Sequence, residues 1–193
     1  MVKALVPLAN GVEEMEAVII IDVLRRAGWS VTTAGLQAGP VTASRQVRLV
    51  PDGTWDEVNP AEYDWIVIPG GAPGTRELIA DDRVIAALQA HARAGRWLGA
   101  VCAGPTVLHT AGLLDGKRVT SHPAVADRLD TADRCDDPVV IDGQLVTSQG
   151  PGTSFDFALT IVALEAGPCA AKELADAMRH RTDDAVPLWQ RLP

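Results

Sequence analysis

Short continuous apolar runs alternate with helical patterns of apolar residues along most of the chain. The runs that predict buried strands cover residues 2–8, 29–34, 65–68, 98–101, 138–141 and 144–148. Such runs are typical of strands that are buried on both faces of a parallel sheet. The alternation therefore predicts an α/β fold with a mostly parallel central sheet flanked by helices.

The first predicted helix begins at a capping box formed by Asn10 and Glu13, ends near Arg26 and is apolar nearly all round. Because one sheet face cannot cover so much apolar surface, we expect a second surface, such as another subunit, to bury the rest. Further helices are predicted at residues 82–94, from the turn at Cys102 to about residue 114, from residue 150 onward and at residues 170–180, and hairpins at residues 47–50 and at Asp142-Gly143.

Composition indicates one folded domain spanning residues 1–193, with no metal or cofactor implied. The chain enters a strand without a signal-peptide pattern, and no apolar run looks long enough to cross a bilayer, so we expect a cytoplasmic protein with no membrane partner. The net charge of −8, without a basic cluster, argues against a nucleic-acid partner. The last residues carry Val186, Leu188, Trp189 and Leu192 and are expected to dock on the domain.

Cys102 lies between a predicted strand and the helix start Ala103-Gly104-Pro105. This resembles the nucleophile elbow of hydrolases, in which a sharp turn exposes a side chain at the edge of a sheet. A thiol at the positive end of a helix is expected to favour the thiolate, which is the nucleophilic form. The alternative interpretation is a buried cysteine that acts only as a small apolar side chain.

Two further groups are expected near this turn. Glu16 follows Glu13 and Glu14 at the helix start, where acids are also explained by the helix dipole, but its apolar neighbours favour a protonated carboxyl that can donate a hydrogen bond to a thiolate. His122 precedes a proline, in an extended segment that is able to aim the ring inward, although from the residues alone a structural role is the favoured interpretation. His91 and His180 fall on helical surface patterns and are expected to be solvated.

Several segments together resemble the ThiJ/PfpI superfamily, and more narrowly its Parkinsonism-associated "DJ-one" branch of deglycase-like proteins. The resemblance runs in register from residue 2 to about residue 180. The segments that carry it are Ala4–Val6, Gly11–Val18, Asp22–Gly28, Val67–Gly71, Val101–Thr106, Ser121–Pro123 and Thr147–Leu159.

This resemblance implies a flavodoxin-like three-layer sandwich and a homodimer that uses the first helix, with Asp22 and Arg26 at the interface. It also implies a catalytic site in which Cys102 is the nucleophile, Glu16 its protonated partner and His122 a nearby imidazole. The oxyanion donors would be the backbone N–H groups of Gly71 and Ala103, and Gly70, Arg45 and Pro151 would contact the substrate.

The sequence departs from the family pattern at four positions. Ala103 stands where the peptidase-like branch has histidine, which removes the obvious base for proteolysis. Gln149 replaces an arginine that is frequent among the closest relatives. Val50 and Ala43 occupy positions that are cysteines in some animal members, so redox chemistry at those positions is not expected.

Three functions remain open from the sequence. The leading hypothesis is a cofactor-independent glyoxalase or deglycase that acts on 2-oxoaldehydes, or on their early adducts with amines and thiols such as glycated protein, and yields 2-hydroxy acids. A redox sensor or chaperone-like stress protein would use oxidation of Cys102 instead. A cysteine amidase or peptidase would require a base that the sequence does not identify.

Overall fold

A seven-stranded sheet with helices on both faces forms the centre of the computed structural model, which describes residues 1–181 and 187–192. The strand order is β10-β11-β7-β6-β1-β2-β5, and every neighbouring pair is parallel except β10 and β11. The strands are β1 Lys3–Leu8, β2 Ser30–Gly35, β3 Val41–Thr42, β4 Arg48–Leu49, β5 Gly53–Thr54, β6 Trp65–Ile68, β7 Trp97–Val101, β8 Arg118–Val119, β9 Asp133–Arg134, β10 Val139–Asp142 and β11 Leu145–Ser148.

Helices cover both faces of this sheet and give the three-layer α/β sandwich expected of a flavodoxin-like fold. They are α1 Glu14–Arg26, α2 Ala72–Ile79, α3 Asp82–Arg93, α4 Pro105–Thr110 and α5 Ser154–Ala177. Helices α1 and α5 pack together on one face, and α2, α3 and α4 pack on the other. Each face of the sheet carries its own hydrophobic core. Along β6 the side chains of residues 65 and 67 pack into the core beneath α1 and α5, and those of residues 66 and 68 pack into the core beneath α2, α3 and α4, as the alternation of a strand requires.

The parallel register brings four strand ends to one edge of the sheet. Strands β1, β6, β7 and β11 all run in the same direction, so the loops after Leu8, Ile68, Val101 and Ser148 emerge side by side. In open parallel sheets this carboxyl edge is where ligands bind. The functional site is therefore expected among these four loops.

The predicted start of the first helix is wrong by several residues. The helix begins at Glu14, and the side chain of Glu13 accepts a hydrogen bond from the N–H of Met15 at 3.0 Å. Asn10 instead accepts from the N–H of Thr42 at 2.9 Å, so it ties the β3–β4 hairpin to the loop after β1. The local capping pattern is overridden by this tertiary contact.

Other boundaries also differ from the prediction. Helix α2 was not predicted, and α4 ends at Thr110 rather than near residue 114. Helix α5 is interrupted at Gly167, whose φ of +83° breaks the helix just before Pro168, as the sequence indicates, but the second half ends at Ala177. The predicted hairpin at Asp142-Gly143 is confirmed, and residues 47–50 contribute β4 to a short antiparallel hairpin with β3.

The segment Pro151–Ala177 is long and apolar enough to cross a membrane by length and composition, so the expectation that no such stretch exists is wrong. Ten of its 27 residues are buried inside the domain, and among them Phe157, Leu159 and Ile161 belong to the core shared with α1. Such burial is typical of a helix in the core of a folded domain, so this segment gives only weak support for a membrane span.

The C-terminal segment docks on α5 over the residues that the structure describes. Trp189 is buried, and its Nε1 donates to Oδ1 of Asp156 at 3.0 Å, while Leu188 and Leu192 pack against the core. The predicted docking is confirmed for these residues. Val186, also part of that prediction, lies outside the described residues.

Candidate active site

Cys102 occupies a sharp turn directly after β7. Its φ is +63°, a left-handed conformation that is unfavourable for a residue with a side chain, and α4 begins three residues later at Pro105. The N–H of Cys102 donates to the carbonyl oxygen of Ser148 at 2.9 Å, which fixes the turn to the end of β11. The side chain is only partly buried, so the thiol is reachable from solvent.

Two glycines and the residue after the cysteine surround the sulfur. The backbone N–H groups of Gly71 and Ala103 lie close enough to Sγ of Cys102 to lower the pKa of its thiol. A Cβ at Gly70 would lie 2.6 Å from Cβ of Cys102 and 2.7 Å from Oε2 of Glu16, so only glycine leaves room for these two side chains to meet. Gly71 has a φ of +93° and packs its Cα against the backbone of residues 11–13, which likewise requires glycine.

Glu16 is fully buried beside this sulfur. Its Oε2 accepts a hydrogen bond from the N–H of Gly70 at 2.6 Å, and its carboxyl lies next to the Cys102 side chain. Its Oε1 is buried without a hydrogen-bond partner. Burial raises the pKa of Glu16 to about 7, against the opposing hydrogen bonds from Gly70 and Cys102.

The charge of Glu16 controls the thiol. Burial, followed by the negative charge of an ionised Glu16 and its hydrogen bond, raises the pKa of Cys102 to about 12, whereas the N–H groups of Gly71 and Ala103 lower it. The sequence predicts both that the helix start favours the thiolate and that Glu16 is protonated; when Glu16 is ionised, burial and its charge outweigh the effect of the helix start. A thiolate at neutral pH requires a proton on Glu16, because the two groups titrate as a coupled pair.

His122 lies at the rim of the site and its ring is exposed. The backbone N–H of His122 donates to the carbonyl oxygen of Cys102 at 3.0 Å. The ring Nδ1 accepts from the backbone N–H of Ala124 at 3.1 Å and so caps the short helix Pro123–Arg128. In the neutral ring the remaining proton is on Nε2. The ring thus flanks the cysteine turn, and its Cδ2 would lie 3.6 Å from a Cβ built on Gly150.

The resemblance also assigns Pro151 and Arg45 to the substrate site, and Asp22 and Arg26 to the dimer interface. Pro151 is partly exposed in the loop after β11, next to Gly150. Arg45 lies at the tip of the β3–β4 hairpin with an exposed side chain that donates to the carbonyl oxygen of Ser44 at 3.4 Å. Asp22 and Arg26 form an ion pair at 2.6 Å on α1, with both side chains about half exposed.

Glu14 is a structural residue that the sequence interpretation missed. It was grouped with solvated acids of the helix start, but it is buried and accepts hydrogen bonds from Oγ of Ser44 at 2.9 Å and from the N–H of Arg45 at 2.8 Å. Burial opposes ionisation, but these hydrogen bonds lower the pKa of Glu14. The carboxylate therefore holds the hairpin tip that carries Arg45.

Two histidines expected on the surface are also enclosed. His91 is buried, its Nε2 donates to the carbonyl oxygen of Trp97 at 3.1 Å, and burial lowers its pKa. His180 is partly buried, stacks on Phe155 and contacts Oδ1 of Asp156 at 3.1 Å. Among the described residues, no three His, Cys, Asp or Glu side chains are grouped so that they could hold a metal ion.

The chain is similar to members of one known protein family. The model of the DJ-1/PfpI family matches residues 2–164. Protein DJ-1 homolog B of Arabidopsis thaliana is 45% identical over 162 residues, which are 83% of this chain but only 37% of that protein. The protein of Caenorhabditis elegans named glutathione-independent glyoxalase DJR-1.2 is 40% identical over 158 residues, 81% of this chain and 84% of that protein.

The crystal structure of Drosophila melanogaster DJ-1beta superposes with a TM-score of 0.90. It is 41% identical in sequence, and the match covers 94% of this chain and 99% of that one. The similarity therefore extends over the whole sheet and the loops at its carboxyl edge, and includes the turn that carries Cys102.

Proposed function

The chain belongs to the DJ-1/PfpI family, and from this membership and the geometry around Cys102 we propose that it is a glutathione-independent glyoxalase. Its substrates would be 2-oxoaldehydes such as methylglyoxal, or their early adducts with amines and thiols, including those on glycated proteins. The similar protein of Caenorhabditis elegans carries that activity in its name. The observation that carries the proposal is the contact between a partly exposed thiol and a fully buried carboxyl.

The first requirement is a thiolate, and the surroundings favour the negative charge on sulfur rather than on the carboxyl. The sulfur receives two N–H donors, from Gly71 and Ala103, and is partly hydrated. The carboxyl of Glu16 receives one backbone donor, from Gly70, and its Oε1 has none. Because a buried charge needs hydrogen-bond donors, the shared proton belongs on Glu16.

The thiolate then attacks the aldehyde carbon of the substrate. A C–S bond forms, and the electron pair of the carbonyl moves to its oxygen, giving a hemithioacetal anion. The N–H groups of Gly71 and Ala103 are the nearest donors to stabilise this oxyanion. Gly70 and Pro151 would contact the substrate beside this sulfur, and Arg45, at the β3–β4 hairpin tip, would be its basic contact.

The second step moves a proton between neighbouring carbons. The carbon bonded to sulfur loses a proton, the adjacent ketone carbon gains one, and the product is a thioester of a 2-hydroxy acid. A carboxyl with a pKa of about 7 can both donate and accept a proton near neutral pH, which suits Glu16 to this transfer. His122, at the rim with a proton on Nε2, is placed to assist from the solvent side.

Water completes the cycle. It attacks the thioester carbonyl, the C–S bond breaks, and the sulfur leaves as the thiolate. The sum converts methylglyoxal and water into lactic acid, so the step needs no oxidant, reductant or glutathione.

Lactate formation from methylglyoxal without glutathione tests the proposal. We expect the wild-type protein to produce lactate and Cys102→Ser to lose activity by at least about 10³-fold, because no other group forms the C–S bond. Cys135→Ser serves as the matched control and should retain full activity, since the sulfur of Cys135 contacts Asp137, between β9 and β10, rather than Glu16. Full activity of the Cys102 variant would remove this residue from the mechanism.

A second function is favoured by the same sulfur environment. A partly exposed thiolate flanked by N–H donors and a protonated carboxyl is also suited to oxidation, and a sulfinate would accept the same hydrogen bonds. Mass spectrometry after mild peroxide treatment distinguishes the two functions. A stable gain of two oxygen atoms on Cys102, together with negligible turnover of 2-oxoaldehydes, would favour a redox-sensing or chaperone-like stress protein over the glyoxalase.

A further inference from the structure

Ser148 is hydrogen-bonded both to the turn that carries Cys102 and to Thr153 in the loop after β11. Its carbonyl oxygen, at the end of β11, accepts the N–H of Cys102 at 2.9 Å. Its Oγ lies 2.8 Å from the carbonyl oxygen of Pro138 and 2.7 Å from Oγ1 of Thr153. Ser148 is fully buried, so these partners satisfy a hydroxyl that has no access to water.

The available hydrogens fix the direction of one of these bonds. The Ser148 hydroxyl has one hydrogen, which the Pro138 carbonyl requires because a carbonyl can only accept. Oγ1 of Thr153 accepts from the N–H of Gly150 at 3.1 Å, and its one hydrogen is shared between Oγ of Ser148 at 2.7 Å and the carbonyl oxygen of Gly150 at 3.0 Å. The carbonyl oxygen of Gly150 also accepts from Oγ of Ser154 at 3.0 Å.

The result is a chain of polar groups that runs from the N–H of Gly150 through the hydroxyls of Thr153 and Ser148 to the Pro138 carbonyl. Its first member faces the active site. A Cβ built on Gly150 would lie 3.6 Å from Cδ2 of His122 and 4.0 Å from Oε1 of Glu16, the carboxyl oxygen that has no hydrogen-bond partner.

We propose that Thr153 and Ser148 are positioning residues for the Cys102–Glu16 pair, because their hydroxyl chain holds the backbone of Gly150 as a wall over the unpartnered oxygen of Glu16. The wall excludes water from that oxygen, and exclusion of water keeps the proton on the carboxyl and the negative charge on the sulfur. Neither hydroxyl touches the substrate.

The titratable groups around Glu16 do not change when this chain is altered. Cys102 and Glu13 act directly on the carboxyl, and His122 lies across Gly150 from it. Removal of the Thr153 hydroxyl would leave the N–H of Gly150 without its acceptor and so allow this loop to admit water. Hydration of Oε1 favours the carboxylate, which in turn disfavours the thiolate.

The experiment compares three variants with the wild type. Thr153→Val removes the hydroxyl at constant shape, and Thr153→Ser retains it. Thr160→Val is the control, because Thr160 is a fully buried threonine on α5 whose hydroxyl donates only to the Asp156 carbonyl of its own helix. The readouts are the titration of the Glu16 carboxyl by carbon NMR and the alkylation rate of Cys102 at neutral pH, located by mass spectrometry.

We expect Thr153→Val to lower the Glu16 titration midpoint by about one pH unit and to slow alkylation about tenfold. Thr153→Ser and Thr160→Val should leave both unchanged. An unchanged midpoint in folded Thr153→Val would overturn the proposal, as would an equal change in Thr160→Val. The inference rests on the pair invoked in the proposed function, but both readouts are taken without substrate, so a failure of glyoxalase activity would not affect them.

Discussion

A carboxyl that is buried against a thiol changes how the stability of the protein depends on pH. The pKa of Glu16 is raised from its ordinary value of 4.5 to about 7, so the folded state binds this proton more tightly than the unfolded state does. The free energy of unfolding therefore includes a contribution from Glu16 that is fully present below pH 4.5 and is lost as the pH rises to 7. The shift corresponds to about 3 kcal/mol.

This contribution is measurable in a Cys102→Ser background, which removes the titration of the thiol. Between pH 4.5 and 7.5 we expect the free energy of unfolding of Cys102→Ser to fall by about 3 kcal/mol more than that of Cys102→Ser/Glu16→Gln. The double variant lacks this loss because glutamine does not ionise. Urea unfolding at a series of pH values gives the comparison. Parallel pH curves for the two proteins would mean that the carboxyl of Glu16 is not destabilised by burial.

Single residues also show where sequence reasoning reaches its limit. Cys102 and Glu16 are recognisable because a turn pattern and an apolar neighbourhood are local features. The roles of Glu14, Ser148 and Thr153 are not, because each depends on a partner that the fold brings close from another element. The bond between Ser148 and Thr153 joins the end of β11 to the start of α5, and no residue spacing indicates it.

Among the elements, α1 leaves part of its apolar surface uncovered in the single chain. Val18 and Met15 on this helix are 48% and 55% exposed, and Val47 and Val50 beside β4 are also exposed. The hairpin is tied to the start of α1 through Glu14, so these side chains belong to one side of the molecule. This apolar surface, with the Asp22–Arg26 pair on the same helix, is where we propose that two copies of the chain associate.

Sedimentation tests this association. We expect the wild-type protein to have about twice the chain mass of 20.4 kDa, and Val18→Glu to sediment as a monomer, because a charge in an apolar interface is left without hydration. Ala80→Glu is the control, since Ala80 is exposed at the end of α2 on the opposite face of the sheet. A wild-type mass near that of one chain would contradict the proposed homodimer.

The elements differ in how well local patterns predict them. The buried strands follow from continuous apolar runs, and the β10–β11 hairpin follows from Asp142-Gly143. Helix α2 was missed because proline and glycine in its first turn are typical of a loop. A Cβ at Gly74 would lie 2.7 Å from the backbone nitrogen of Val12, so this glycine is required by close packing on the loop after β1, which only the fold reveals.

At the scale of the whole molecule, the sheet assembles the site from segments that are distant in the sequence. The loop after β1 leads into α1, which carries Glu16. The loop after β6 carries Gly70 and Gly71, the turn after β7 carries Cys102, and the loop after β11 carries Gly150. The class of fold and this edge could be predicted from the alternation of strands and helices. The charge state of the Cys102–Glu16 pair could not be predicted in this way, because it depends on whether the sulfur or the carboxyl has more hydrogen-bond donors around it.

The central claim is that this pair places its negative charge on the sulfur of Cys102 and its proton on Glu16. The most direct test is the ultraviolet absorbance of the Cys102 thiolate, measured as the difference between wild type and Cys102→Ser across a pH titration. The account predicts that the thiolate absorbance is already present at neutral pH. Appearance of that absorbance only above the ordinary cysteine pKa of about 8.5 would contradict it.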